Sequence, residues 1–263
     1  MKEKPHIPLL ANKAYDEPSV FRPENLLREA RRQKAIPNCL VPSLVMLDPD
    51  GDLADYLSTQ NRAVENECWA CYHSVMYTFR LNGKELGIVP NIVGASYAVL
   101  VAEQLFASGC ELLISVTSAG IITEPSVPRR FALLTEAVRD EGASYHYLPA
   151  GAPARLAPGL LRRLSQKNCA GELPWFTAKS WTTDAPYRET PTAIAAMQKE
   201  QIICVEMEAA ALYAFAEARS KAVVCFAHLT NTMAQQEGDF EKGEAFGSLD
   251  TLALIGKVLE LGL

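Results

Sequence analysis

Short apolar runs that alternate with helical patterns constrain this chain more than any other feature. From Leu40 onward, LVPSLVML and LGIVPNIV are followed by the helix-like SYAVLVAEQLFASG and then by ELLISVTSAG. Brief apolar runs bounded by turn formers suit buried strands, whereas the longer periodic stretch suits a helix. This β-β-α-β rhythm predicts an α/β protein. Several runs end in small residues, as in Val93-Gly94-Ala95-Ser96 and Val116-Thr117-Ser118-Ala119-Gly120. Small residues let backbone approach a ligand closely, and strand ends are where α/β proteins place their sites.

Further on, ASYHYL and PWFTAKSW read as strands, and IICVE reads as a short strand leading into the helix MEAAALYAFAEARS. AVVCFAHLT reads as a buried strand, residues 152–171 hold another helix after the loop GAPARLAPG, and a last helix runs near Ser248 to Leu261. At the N-terminus, PENLLREARRQK starts with Pro23 and carries Leu26, Leu27 and Ala30 at helical spacing. A chain of 263 residues fits one large domain with an attached arm, divided here as arm and helix over 1–38 and the main domain over 39–263.

Charge narrows the function classes. The 25 Lys and Arg against 31 Asp and Glu give a formal charge of −6, and only Arg28 to Lys34 is strongly basic, which argues against nucleic-acid polymers. The most apolar segments are interrupted by Glu103 or by Glu206, Glu208 and Glu217, so none reads as a membrane span. MKEKPHIPLL lacks the apolar core of a signal peptide, so the expected location is the cytoplasm. There the seven cysteines are expected as reduced thiols. Cys68, Cys71 and His73 form a C-x-x-C-x-H run, but without a second ligand pair it does not suit zinc, and no metal is expected.

The chain has no G-x-G-x-x-G, no P-loop, no G-x-S-x-G elbow and no H-E-x-x-H. What stands out is Val205-Glu206-Met207-Glu208-Ala209-Ala210-Ala211, with two carboxylates at the junction of a strand and a strongly apolar helix. Glutamates there can complement the helix dipole. A carboxylate can also accept two hydroxyl hydrogen bonds from a sugar.

VEMEAAALYA resembles the signature of the nucleoside phosphorylase superfamily, which holds purine nucleoside and uridine phosphorylases and the methylthioadenosine and AMP nucleosidases. The likeness extends through GASYAVLVAEQLFASGCELLISVTSAG and HLTNTMAQQE, and covers roughly Leu40 to Leu263. It implies a three-layer α/β/α fold around a central mixed β-sheet, and cleavage of a nucleoside's N-glycosidic bond through an oxocarbenium-like transition state. Phosphate is the default nucleophile and water the alternative; a non-catalytic nucleoside-binding protein is the third reading. By position, Glu208 would hold the ribose 2′ and 3′ hydroxyls and stabilise developing positive charge, Met207 would pack on the sugar, and Glu206 would lie in the same wall. Thr117 and Ser118 match the strand end that meets phosphate and ribose, and His6 resembles an arm histidine given across a dimer. The resemblance also implies a homo-oligomer, a dimer or a trimer of dimers, and no cofactor beyond inorganic phosphate as a possible co-substrate.

Departures from the family pattern are as informative. Asn231 stands where purine-specific relatives carry an Asp, and an amide is no general acid, which favours a pyrimidine or oxo-base. In SWTTDAPYRET, Pro186 replaces a stacking Phe, leaving Trp181, Tyr187 or Arg188 as substitutes. The family's phosphate arginines have no counterpart: the matching places hold the acidic Leu47-Asp48-Pro49-Asp50-Gly51-Asp52, Ser115, and the neighbourhood of Tyr72 and His73. Such a pocket would repel a phosphate dianion unless Arg62, Arg129, Arg130 or Arg188 reached it.

Overall fold

The computed structural model describes residues 7–127, 130–165, 173–233 and 237–263; His6 and Arg129 lie outside the described residues. The helices are α1 (Pro23–Lys34), α2 (Asp52–Thr59), α3 (Ala95–Ala107), α4 (Pro158–Ser165), α5 (Pro191–Lys199), α6 (Ala209–Arg219) and α7 (Ser248–Glu260). The strands are β1 (Leu44–Asp48), β2 (Ala63–Glu65), β3 (Tyr77–Leu81), β4 (Lys84–Pro90), β5 (Leu112–Ile121), β6 (Phe131–Asp140), β7 (Ala154–Arg155), β8 (Trp175–Thr183), β9 (Cys204–Glu206) and β10 (Ala222–Asn231).

The ten strands form one mixed sheet in the order β10-β6-β8-β9-β5-β1-β4-β3-β2, with β7 beside β6. Because β10 also pairs with β5, the strands β10, β6, β8, β9 and β5 close into a ring. β1, β4, β5 and β10 run parallel, whereas β9 is antiparallel to β5 and β6 to β10. The parallel centre explains the sequence: all five residues of β1 are buried, since a parallel strand is covered on both faces.

Helix α6 is buried from Ala209 through Ala216. A helix apolar on all sides belongs inside, and its alanines let it lie close to β6, β7, β10 and α3. Helix α1 packs through Leu27 and Ala30 onto Ala70. No helix among the described residues is long and apolar enough to cross a membrane.

Three expectations are corrected. ASYHYL is not a strand: Ala143–His146 forms a 3-10 turn, because the Ser144 carbonyl takes the N–H groups of Tyr147 and Leu148. The expected loop GAPARLAPG contains β7, whose Ala154 and Arg155 pair with Ala137 and Glu136. The cysteines are not all thiols either, since Cys39 and Cys68 form a disulfide across 29 residues. Packing of α1 brings the two together, a proximity that sequence spacing does not encode. Cys71, Cys110, Cys204 and Cys225 are buried thiols.

Candidate functional site

The carboxyl ends of β1, β5 and β10 open beside the β9–α6 junction. The glutamates of that junction have different surroundings. Both oxygens of Glu206 are engaged: Oε1 accepts from the hydroxyls of Ser180 (3.0 Å) and Thr182 (2.5 Å), and Oε2 from the N–H groups of Glu208 and Ala209 (both 2.7 Å). β8 lies in register beside β9, with Thr182 opposite Glu206, and so delivers the hydroxyls. Glu206 thus caps the first turn of α6, and burial raises its pKa against the pull of these four donors.

Glu208 is only 2% exposed. Its Oε1 accepts from the Gly94 N–H at 2.7 Å, while Oε2 is buried with no hydrogen-bond partner. The nearby Thr117 hydroxyl favours the charged form, yet its own hydrogen bond goes to the Ser118 carbonyl at 3.2 Å. Burial, and then the Glu206 charge, push the Glu208 carboxyl well above the usual carboxylate range. A buried acceptor left open is costly, on the order of 1–3 kcal/mol, unless a ligand completes it.

Beside this carboxylate lies an ionic cluster. Asp50 accepts from both donors of Ser118, its hydroxyl at 3.1 Å and its N–H at 3.2 Å. The Lys242 ammonium lies 3.3 Å from Asp50 and bonds Asp52 as well. Burial works to lower the Lys242 pKa, but Asp52 and Asp50 outweigh it and raise the value. Behind them Asp48 accepts from the Ala54 N–H at 2.9 Å, and burial, reinforced by Asp50 and Asp52, raises its carboxyl to about 7. His228 stacks on Phe131 at 4.6 Å, its Nε2 buried without a partner and its pKa pushed down to about 4 by burial. A cavity of about 20 Å³ remains between these groups, bordered by Thr117, Ser118, Asp50, Lys242 and His228.

The family model described as "Phosphorylase superfamily" matches residues 45–254, which takes in every element of this site. The chain belongs to the phosphorylase superfamily. No curated protein matches it in sequence. Solved structures share the fold: uridine phosphorylase from Vibrio fischeri ES114 in complex with 6-hydroxy-1-naphthoic acid has a TM-score of 0.68 at 19% identity, over 82% of this chain and 89% of that one. Purine nucleoside phosphorylase from Toxoplasma gondii in complex with immucillin-H gives 0.68 at 16% identity, over 84% and 90%.

Within this superfamily member, Glu206 holds the Glu208 N–H, the Thr117 hydroxyl lies near the Glu208 carboxyl, and Ser118 faces Asp50. Met207 sits half-buried between the glutamates. Asn231 ends β10 opposite Gly120, its Oδ1 taken by the Met233 N–H (2.9 Å) and its Nδ2 given to the Thr230 hydroxyl (3.1 Å). Tyr187 is 99% exposed on a 3-10 turn, Arg188 beside it is exposed, and neither bonds the cluster. His73 is exposed too; its carbonyl accepts from the Tyr97 hydroxyl at 2.7 Å and its N–H donates to Cys71 Sγ at 3.5 Å. Trp181 is buried and gives its ring N–H to Asp140, so it presents no open face for stacking. Arg130 leans toward Asp250 at 3.8 Å rather than toward Ser118.

Sequence reading missed Lys242 and His228. His228 had one visible signal, a lone polar ring in the apolar run AVVCFAHLT. Lys242 had none, because its partners lie 190 residues away.

Proposed function

We propose that this protein cleaves the N-glycosidic bond of a ribonucleoside. One observation carries the reading: the buried Glu208 carboxyl has Oε1 fixed by Gly94 and Oε2 without a partner, with the Thr117 hydroxyl nearby. A ribose diol supplies the donors this carboxyl lacks and so favours its charged form, which opposes the positive charge that develops as the base departs. Met207 packs on the sugar in this reading, and Asn231 faces the base with its remaining amide hydrogen. Pyrimidines or oxo-bases suit an amide that is not an acid. Tyr187 and Arg188, exposed in the single chain, suit contact with a second copy in a homo-oligomer.

The nucleophile is the finer question, and a specific observation favours water over phosphate. The Ser118 N–H and hydroxyl, the donors best placed for an entering anion, are already taken by Asp50. Product analysis on a panel of purine and pyrimidine nucleosides, with and without phosphate, tests both parts. Base and free ribose released without phosphate is the expected result. A strict phosphate requirement with ribose 1-phosphate as co-product would overturn the choice of water, and no base release from any nucleoside would overturn the proposal as a whole.

A further inference from the structure

Three donors converge on one carboxylate at the end of β5. The Ser118 hydroxyl reaches Asp50 Oδ1, while the Ser118 N–H and the Lys242 ammonium both reach Oδ2. A hydroxyl, a backbone N–H and a cation around two oxygens are the parts of an oxyanion cradle. The cradle is built rather than incidental, since the Lys242 side chain is only 14% exposed and that of Asp50 29%. The space left over is about 20 Å³, bordered by His228, whose Nε2 has no hydrogen-bond partner. One water needs ~10–15 Å³ by this measure. The space admits a water and no tetrahedral oxyanion while Asp50 is in place.

We infer that Asp50 is an internal anion that occupies an oxyanion subsite formed by Ser118 and Lys242, and so determines that phosphate is kept out. The catalytic consequence rests on the proposed glycosidic cleavage; the occupancy does not. Charge and shape act together. Asp48 and Asp52 lie close enough to Asp50 to act on one another, so a phosphate dianion arriving there meets several carboxylates as well as a filled cradle. Replacing Asp50 by a small neutral residue removes the occupant and leaves the donors. Lys242 keeps its contact with Asp52, so the substitution does not strand a buried ammonium.

The test is binding of inorganic phosphate, followed by phosphorus NMR line-broadening and by calorimetry on the full chain. Wild type is expected to bind no phosphate at millimolar concentration. Asp50→Ala is expected to bind at least tenfold more tightly than wild type. Asp50→Asn, whose amide still fills the cradle and accepts from the Ser118 N–H, should stay close to wild type. Phosphate binding by wild type as tight as by Asp50→Ala would overturn the inference, and so would a folded Asp50→Ala that binds none. Wild type alone keeps the inference falsifiable if Asp50→Ala does not fold, because thermal stabilisation of wild type by phosphate would also refute it. Failure of the glycosidic reading is seen separately, as absence of base release, and leaves the phosphate result intact.

Discussion

The Glu206 carboxylate accepts the backbone N–H of Glu208 at 2.7 Å, so one glutamate fixes the residue that carries the other. With its second oxygen on Ser180 and Thr182, Glu206 is tied to β8 and to the start of α6 at once. Glu208 is thereby held with one oxygen open. Two residues of one type, two positions apart, divide into one with both oxygens satisfied and one with a single oxygen satisfied.

That division predicts opposite outcomes for two conservative substitutions. Glu208→Gln should lower turnover by roughly 10²–10³-fold, the size seen when a transition-state electrostatic group is lost. Its melting temperature should hold, because burial raises the Glu208 carboxyl to about 8, so near neutral pH the amide replaces a mainly neutral group of the same shape. Glu206→Gln places an amide NH₂ against donors and should destabilise by about 2–4 kcal/mol. Thermal melts and steady-state rates on both variants decide; equal loss of stability in the two would refute the division.

Asp48 links stability to pH. Its carboxyl is raised from an ordinary 3.8 to about 7. The folded state holds this proton more tightly than the unfolded one, so the contribution is complete at low pH and is lost as pH rises through that window. At about 1.4 kcal/mol per pKa unit, the loss is on the order of 4 kcal/mol. Asp48→Asn should flatten that part of the curve in urea denaturation from about pH 4 to about pH 7. An unchanged slope would mean that Asp48 does not carry it.

Gly247 is needed for both its angle and its size. Its φ is +79°, and a Cβ there would lie 2.5 Å from His228 Cε1 and 2.8 Å from the Lys242 carbonyl. Gly247→Ala should therefore destabilise by about 2–4 kcal/mol, from left-handed strain plus overpacking. Chemical denaturation measures it, and a loss below about 0.5 kcal/mol, the scale of a neutral surface change, would contradict the packing.

The disulfide gives a further check. Closing 29 residues between Cys39 and Cys68 should stabilise by about 3–4 kcal/mol through the unfolded chain. Reductant, or the pair Cys39→Ser and Cys68→Ser, should lower the melting temperature by several degrees. Mass spectrometry after alkylation under non-reducing conditions should leave these two cysteines unlabelled. Labelling of both in the folded, unreduced protein is the contrary result.

Much of this was legible from the chain alone, and the reason is locality. The apolar runs of β1, β5 and β10 and the apolar helix α6 reveal themselves by period, so the α/β class and the Glu206–Glu208 junction follow from neighbours in sequence. The strand at Phe131–Asp140 was less readable because its polar residues break the run, and the 3-10 turn after it depends on carbonyls that period does not report.

Tertiary structure alone decided which groups are occupied. Glu206 and Glu208 look equivalent in sequence until Ser180 and Thr182 arrive from 26 and 24 residues away to saturate one of them. Asp50 meets Ser118 across 68 residues, and Lys242 meets Asp52 across 190. Side-chain type fixes what a residue can bind, whereas the pairing of distant strands fixes what it has already bound. A hydrogen-bond donor can serve a ligand only where the fold has not already paired it.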